Sequence, residues 1–158
     1  MAYRTSRNIE ASIIDFLKEN FDDDWTGISV EKSFARIYDI TLPSICIRTN
    51  VTSHDKAEIG ENSTKRTVQV LIDIFGSDDG NKLDLTDYIV EKIKGGCPYY
   101  IYTISHGIIQ SKTASGRIRV TSIEVTPVDD NTEKSKQDVH DRFRNLITLS
   151  ISLGKIEA

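Results

Sequence analysis

The chain has 158 residues, 38% of them hydrophobic, and a formal net charge of −4. This length and apolar content suit one domain that needs no disulfide or metal to fold, so we expect a single domain over residues 1–158. The mild acidity argues against a broad grip on nucleic-acid phosphates, which requires many lysine and arginine contacts. The widely spaced Cys46 and Cys97 indicate free thiols in a reducing compartment, and no apolar stretch is long enough to span a membrane.

The first predicted element is an amphipathic helix over residues 6–20. Its apolar side chains recur at helical spacing: Ile9, Ile13, Phe16 and Leu17. The acidic residues 22–24 follow it. They are interpreted as a solvated turn with Trp25 as an anchor, because the alternating ligands, central glycine and closing glutamate of an EF-hand calcium loop are missing.

Two strands are predicted in the middle of the chain, at residues 44–51 and 66–75. The second strand is apolar on both faces: Val68, Val70, Ile72 and Ile74 on one, and Leu71 and Phe75 on the other. A strand that is apolar on both faces is typical of the centre of a sheet.

A long polar segment, residues 52–65, connects these two strands. Loops of this length are uncommon in compact domains and are usually functional or disordered, so the segment is the first candidate for a contact surface. The alternative is a mobile hairpin tip that has no partner. The candidate contact residues are His54, Lys56, Glu58, Ile59, Glu61, Lys65 and Arg66.

The turn at residues 76–82 leads into a second predicted helix, residues 81–94. Its two glycines lie four positions apart, no Lys-Ser or Lys-Thr pair follows, and Asp78 and Asp79 would repel a phosphate. This pattern argues against a nucleotide-binding loop. The two aspartates are better explained as an N-cap and a first-turn charge facing the positive end of the helix dipole.

The C-terminal third is predicted to be β-structure, with strands at residues 98–105, 116–128 and 145–153. Ile118 and Val120 would point to one face of a regular strand, whereas Ile123 and Val125 would point to the opposite face. A bulge near Ser122 would reconcile the two phases. Residues 129–144 are charged with mixed sign, which indicates an exposed connection.

No catalytic constellation can be assembled from the sequence. The histidines His54, His106 and His140 fall in separate predicted loops, without the short spacing that places two metal ligands on one helical face. No Gly-x-Ser-x-Gly sequence is present, and Ser115 lies in a sequence typical of a turn. We therefore expect no catalytic residue, no metal site, no cofactor and no enzymatic activity.

The predicted elements define an α+β fold. We expect a single mixed, mostly antiparallel β-sheet with two amphipathic helices packed on it and a long β-hairpin loop.

The order of these elements resembles the tail terminator (tail completion, neck) proteins of tailed bacteriophages over about residues 7–154. The resemblance depends on the polar hairpin connection containing Glu58-Ile59-Gly60 and on the strand from Arg66 that ends in Ile72-Asp73-Ile74-Phe75, followed by the Gly/Asp turn and the second helix. It implies a structural virion protein whose ring, usually hexameric, caps the tail tube, stops its polymerisation and provides the surface for head attachment.

The resemblance also implies the partners. They are further copies of the chain, the tail tube protein and a head-completion or connector protein, with DNA only passing through the lumen and no membrane. The expected location is the neck of the virion, assembled in the cytoplasm of the host bacterium. Segment 52–65 would contact the tube or a neighbouring subunit, and Asp78 and Asp79 would face the lumen. The alternatives are a head-side joining or stopper subunit and a small ligand-binding or enzymatic domain.

Overall fold

The computed structural model describes residues 4–32, 42–128 and 143–157, and these residues form two helices and one six-stranded sheet. The elements are α1 (Thr5–Asp24), β1 (Ser29–Lys32), β2 (Ser44–Lys56), β3 (Thr64–Phe75), α2 (Asp79–Ile93), β4 (Cys97–Ser105), β5 (Ile108–Pro127) and β6 (Arg144–Glu157). The order of the described strands is β1-β2-β3-β6-β5-β4, and among them only the β1–β2 pair is parallel. The predicted α+β class with a mixed, mostly antiparallel sheet is confirmed. Most of the predicted charged connection, residues 129–142, lies outside the described residues.

One face of the sheet forms the core. Ile72 in β3 lies opposite Ile47 in β2 and Ile147 in β6, so alternate residues of three adjacent strands point to the same side. The helices cover this side with buried side chains: Ile9, Ile13, Leu17 and Phe21 from α1, and Leu85, Ile89 and Ile93 from α2. Each such side chain contributes about 1.5–3 kcal/mol by leaving water, so both helices depend on this face for their stability.

The opposite face of β3 is also buried, as predicted for a central strand. Leu71 and Phe75 are both buried there, and β3 lies between β2 and β6. Asp73 lies between them on the same face. Its carboxylate is fully buried and accepts hydrogen bonds from Arg144 Nη2 at 2.7 Å and from Arg48 Nε at 3.4 Å.

The predicted bulge in β5 is confirmed. Val120 pairs with Ile151 and Ser122 pairs with Ser150, so one extra residue of β5 lies between two consecutive residues of β6. The first half of β5, residues 108–115, was not predicted as a strand from the sequence. They pair with β4 through a two-residue turn at His106 and Gly107, whose φ angles of 51° and 79° are those of a hairpin turn matched to the strand twist.

Helix α1 covers the outer edge of β4. The backbone N–H of Tyr100 donates to Ser12 Oγ at 3.0 Å, and that of Tyr102 donates to Asn8 Oδ1 at 3.4 Å. On the other side of the helix, Glu10 accepts a hydrogen bond from the Thr49 N–H at 3.1 Å. Helix α1 therefore lies between β2 and β4. Its side chains accept hydrogen bonds from backbone N–H groups that an edge strand would otherwise offer to another chain.

Candidate functional site

The segment predicted as a long loop is instead an extended hairpin. Its two strands remain paired from Thr52 opposite Val68 to Lys56 opposite Thr64, and only residues 57–63 form the connection. The predicted loop at 52–65 is therefore wrong over much of its length. The strands here are polar on both faces because both faces are in water, so the apolar alternation by which strands are recognised is absent. We call residues 50–68 the β2–β3 arm.

The arm begins at a bulge in β2. Thr49 pairs with Val70 and Thr52 pairs with Val68, so Asn50 and Val51 together oppose a single residue of β3. The Asn50 side chain donates to Gln69 Oε1 at 2.6 Å across this bulge. Bulges increase the local twist of a strand pair, so the arm turns as it leaves the core.

The end of the arm is ordered by its own hydrogen bonds. The N–H of Ala57 donates to the Ser63 carbonyl at 3.0 Å, and Lys56 Nζ donates to the Glu61 carbonyl at 2.8 Å. Ile59 lies between them with a relative exposure of 104%, flanked by the exposed Glu58 and Glu61. We call residues 57–63 the arm tip. It presents one apolar side chain between two carboxylates, entirely outside the core.

Arg66, one of the predicted contact residues, anchors the arm to the domain. Its Nε donates to Glu157 at 3.0 Å and its Nη1 donates to Ser6 Oγ at 2.8 Å, joining the arm to the end of β6 and to the start of α1. His54 is paired with Arg66 across the arm, and Lys65 is on the same strand as Arg66; both are exposed. The structure thus brings the predicted contact residues together on one arm, with Arg66 at its base.

Asp78 and Asp79 occupy the start of α2. Asp78 Oδ1 accepts a hydrogen bond from the Asn81 N–H at 2.7 Å, and Asp79 forms an ion pair with Lys82 at 3.1 Å. The predicted N-cap is confirmed. These aspartates follow the last residue of β3, whereas the arm tip precedes its first residue. A strand of this length spans roughly 40 Å, so the two predicted surfaces lie at opposite ends of the domain.

Groups with catalytic potential are dispersed in the part of the chain that the structure describes. No three His, Cys, Asp or Glu side chains converge there to hold a metal ion. Burial raises the pKa of the Cys46 thiol to about 11 and that of the Cys97 thiol to about 12, so both stay protonated near neutral pH and are poor nucleophiles. His54 and His106 lie in different hairpins, and His140 lies outside the described residues.

The structure also contains a groove that was not predicted from the sequence. An open groove of about 450 Å³ is lined by Gly95, Gly116, Arg117, Ile118, Arg119 and Leu153, and we call it the β5 groove. Arg117 Nη2 donates to the Gly95 carbonyl at 3.2 Å, which fixes one guanidinium at its rim. The sequence signal was the Arg-Ile-Arg run, in which two basic residues flank a buried isoleucine. In the sequence this run predicts only part of a strand.

Comparison of the chain with protein-family models and with curated proteins finds no match. No helix among the described residues is long and apolar enough to cross a membrane. The arm and the β5 groove are therefore interpreted from their own geometry. The arm tip presents one exposed apolar side chain and two carboxylates, and the groove presents a concave surface with two arginines.

Proposed function

We propose that this protein is a structural subunit of a tailed-bacteriophage virion, a tail terminator. In this proposal its copies form a hexameric ring that caps the tail tube, stops tube polymerisation and provides the surface for head attachment. The observation that supports it best is the β2–β3 arm, an ordered hairpin that projects from the core and holds Ile59 entirely in water.

The energetics of the arm favour a protein partner. The arm is paired with β6 along its β3 strand as far as Thr64 opposite Glu157, but it adds no apolar side chain to the main core beyond Val68. Burying Ile59 against a partner would contribute about 1.5–3 kcal/mol, whereas leaving it exposed contributes nothing. The arm therefore gains stability when it meets another protein surface.

The opposite placement of the two predicted surfaces suits a terminator. A tail tube is an open stack of repeating contacts, and it stops growing when a subunit matches the growing end but cannot repeat that contact on its other side. The arm tip and the start of α2 are chemically different surfaces, so a contact made by one of them is not repeated by the other. In the ring, these aspartates face the lumen, where their negative charge keeps passing DNA from adhering.

The proposed partners are further copies of the chain, the tail tube protein and a head-completion or connector protein. DNA only passes through the ring. This role requires no catalysis, metal or cofactor, and it places the protein in the neck of the virion after assembly in the host cytoplasm.

The test removes the arm tip without disturbing the ladder below it. Lys56 and Thr64 pair directly, so residues 57–63 can be replaced by Asn-Gly, which forms a two-residue hairpin turn. We expect this variant to keep the thermal unfolding midpoint of the original chain but to lose capping. Capping is measured by electron microscopy as the fraction of tail tubes that end in a ring and as the distribution of tube lengths.

A point variant and a matched control sharpen this experiment. Ile59→Gln should reduce capping, whereas Leu83→Gln, which changes an exposed leucine on α2, should leave it intact. Tubes capped equally well by the tip-deleted protein would exclude the arm as the contact. Rings that bind DNA-filled heads and ignore tubes would assign the protein to the head-side joining or stopper class instead.

A further inference from the structure

The arm tip and the β5 groove have complementary chemistry. In the tip, Glu58 and Glu61 flank the fully exposed Ile59. In the groove, Arg117 and Arg119 are exposed on either side of the buried Ile118, and Leu153 is a half-buried apolar residue of the lining. Thus a tip with two carboxylates and a groove with two guanidinium groups occur on the same chain.

We propose that the arm tip of one copy docks into the β5 groove of the next. Ile59 then lies against the half-buried Leu153, and its two flanking carboxylates face the two guanidinium groups. This inference deepens the proposed function and rests on it in taking the arm as a contact surface, and it names the partner of the tip as a second copy of this chain.

The geometry excludes docking of the tip into the groove of its own chain. Thr67 lies opposite Ser152, which lies opposite Arg119, so the base of the arm and the groove are at the same level of the sheet. From that level the paired strands lead away for three residues, roughly 10 Å, before the tip begins at Ser63. A tip held on a regular ladder cannot turn back to the groove beside its base.

A contact between two different surfaces of identical chains is head-to-tail. Such contacts generate a ring when the rotation between neighbours closes, as the proposed function requires. The charges at its rim select the partner and its register, while the isoleucine supplies apolar burial. Arg119 makes no ion pair with any residue that the structure describes, so its charge is available to a neighbour.

The test uses two oppositely defective variants. One variant, Arg119→Glu, has an altered groove and an intact tip. The other, with both Glu58→Lys and Glu61→Lys, has an altered tip and an intact groove. Each should be monomeric alone, with a dissociation constant for self-association about 100-fold or more above that of the original chain, because like charges then meet at the contact.

Mixing the two variants should restore assembly that neither shows alone. The intact tip of the first can enter the intact groove of the second, and the positive charge introduced at the tip of the second meets the negative charge introduced in the groove of the first, so an equimolar mixture should give dimers or larger species, measured by size-exclusion chromatography with light scattering. Lys18→Glu, an equal charge change at an exposed site on α1, should assemble as the original chain does. Arg119→Ala provides a milder groove variant, and circular dichroism verifies that each variant is folded.

The outcomes separate this inference from the proposed function. An original chain that stays monomeric, or an Arg119→Glu protein that still assembles, would refute docking of the tip in the groove. If charge reversal in the groove leaves the ring intact while reversal at the tip abolishes tube capping, the tip binds the tube and only this inference fails. If the mixed variants assemble but the original ring caps no tube, the inference stands and the proposed function fails.

Discussion

Replacing Asp73 should cause a large loss of stability, because this carboxylate holds two arginines against the sheet. Asp73 has no exposed area, and it accepts hydrogen bonds from Arg144 at 2.7 Å and from Arg48 at 3.4 Å. The side chains of these arginines remain 20% and 35% exposed. Removing the carboxylate takes from both arginines a fully buried ion-pair partner, although the Arg144 guanidinium keeps its contact with the Phe75 ring, 5.1 Å away.

The size of the loss follows from the burial of each partner. Removing one member of a fully buried ion pair costs about 3–5 kcal/mol, because the other charge is left without a partner. Here water reaches both arginines, so we expect about 2–3 kcal/mol for Asp73→Ala. Asp73→Asn keeps an oxygen that can accept from Arg144 and should cost less, about 1–2 kcal/mol. For a domain of this size, the alanine variant should melt about 5–10 °C lower.

Urea and thermal unfolding monitored by circular dichroism measure both variants. Asp84→Ala, which removes an exposed carboxylate on α2, serves as the control and should stay within about 0.5 kcal/mol of the original chain. Salt provides a second criterion, because buried pairs are only weakly screened, and the loss at Asp73 should persist near 1 M salt. An Asp73→Ala protein within about 1 kcal/mol of the original chain would refute the reasoning.

Two further predictions concern the backbone at Gly96 and the buried thiol of Cys46. Gly96 has a φ of +80°, and a Cβ there would lie 2.3 Å from the Ile118 carbonyl oxygen, so Gly96→Ala should cost more than about 2 kcal/mol in urea unfolding. Gly95→Ala, with no atom within 4 Å of its Cβ, should be nearly neutral, and equal losses would contradict this. Burial, followed by the charges of neighbouring carboxylates, raises the pKa of Cys46 to about 11 from the 9.0 of an unfolded chain. The unfolded state therefore loses its proton first, so the free energy of unfolding should fall as the pH rises from about 9 to about 11, and Cys46→Ala should lessen that fall in urea titrations at several pH values.

The parts of the fold that bury apolar side chains could be predicted from the sequence. The alternation of β3 on both faces located the centre of the sheet, and the opposed phases of Ile118 and Ile123 located the β5 bulge. The helical stripe in α1 was equally readable. In each case the apolar residues recur at the regular spacing of a strand or of a helix, because the residues at that spacing are the ones buried away from water.

The polar strands could not be predicted in this way. The arm and the first half of β5 are held by backbone pairing, and their side chains lie mostly in water, so no apolar alternation marks them. The hairpin turn at His106 and Gly107 lacks the common Asn-Gly or Asp-Gly signature. The contact between Asp73 and Arg144 was equally hidden, because Arg144 is distant in sequence and meets Asp73 only through the pairing of β3 with β6.

The two edges of the sheet differ in how far their backbone groups are open to pairing with another strand. This difference affects which contacts two copies of the chain can form. Side chains of Asn8 and Ser12 occupy the outer edge of β4, so that edge is closed to strand addition. In β2, the parallel strand β1 covers only Ser44 to Ile47, and beyond Thr49 no described residue pairs with the outer edge of the arm. The bulge at Asn50 twists that edge, and its charged side chains disfavour flat pairing with another strand. A contact through the tip rather than the edge therefore allows specific association of copies without the open-ended strand pairing that leads to aggregation.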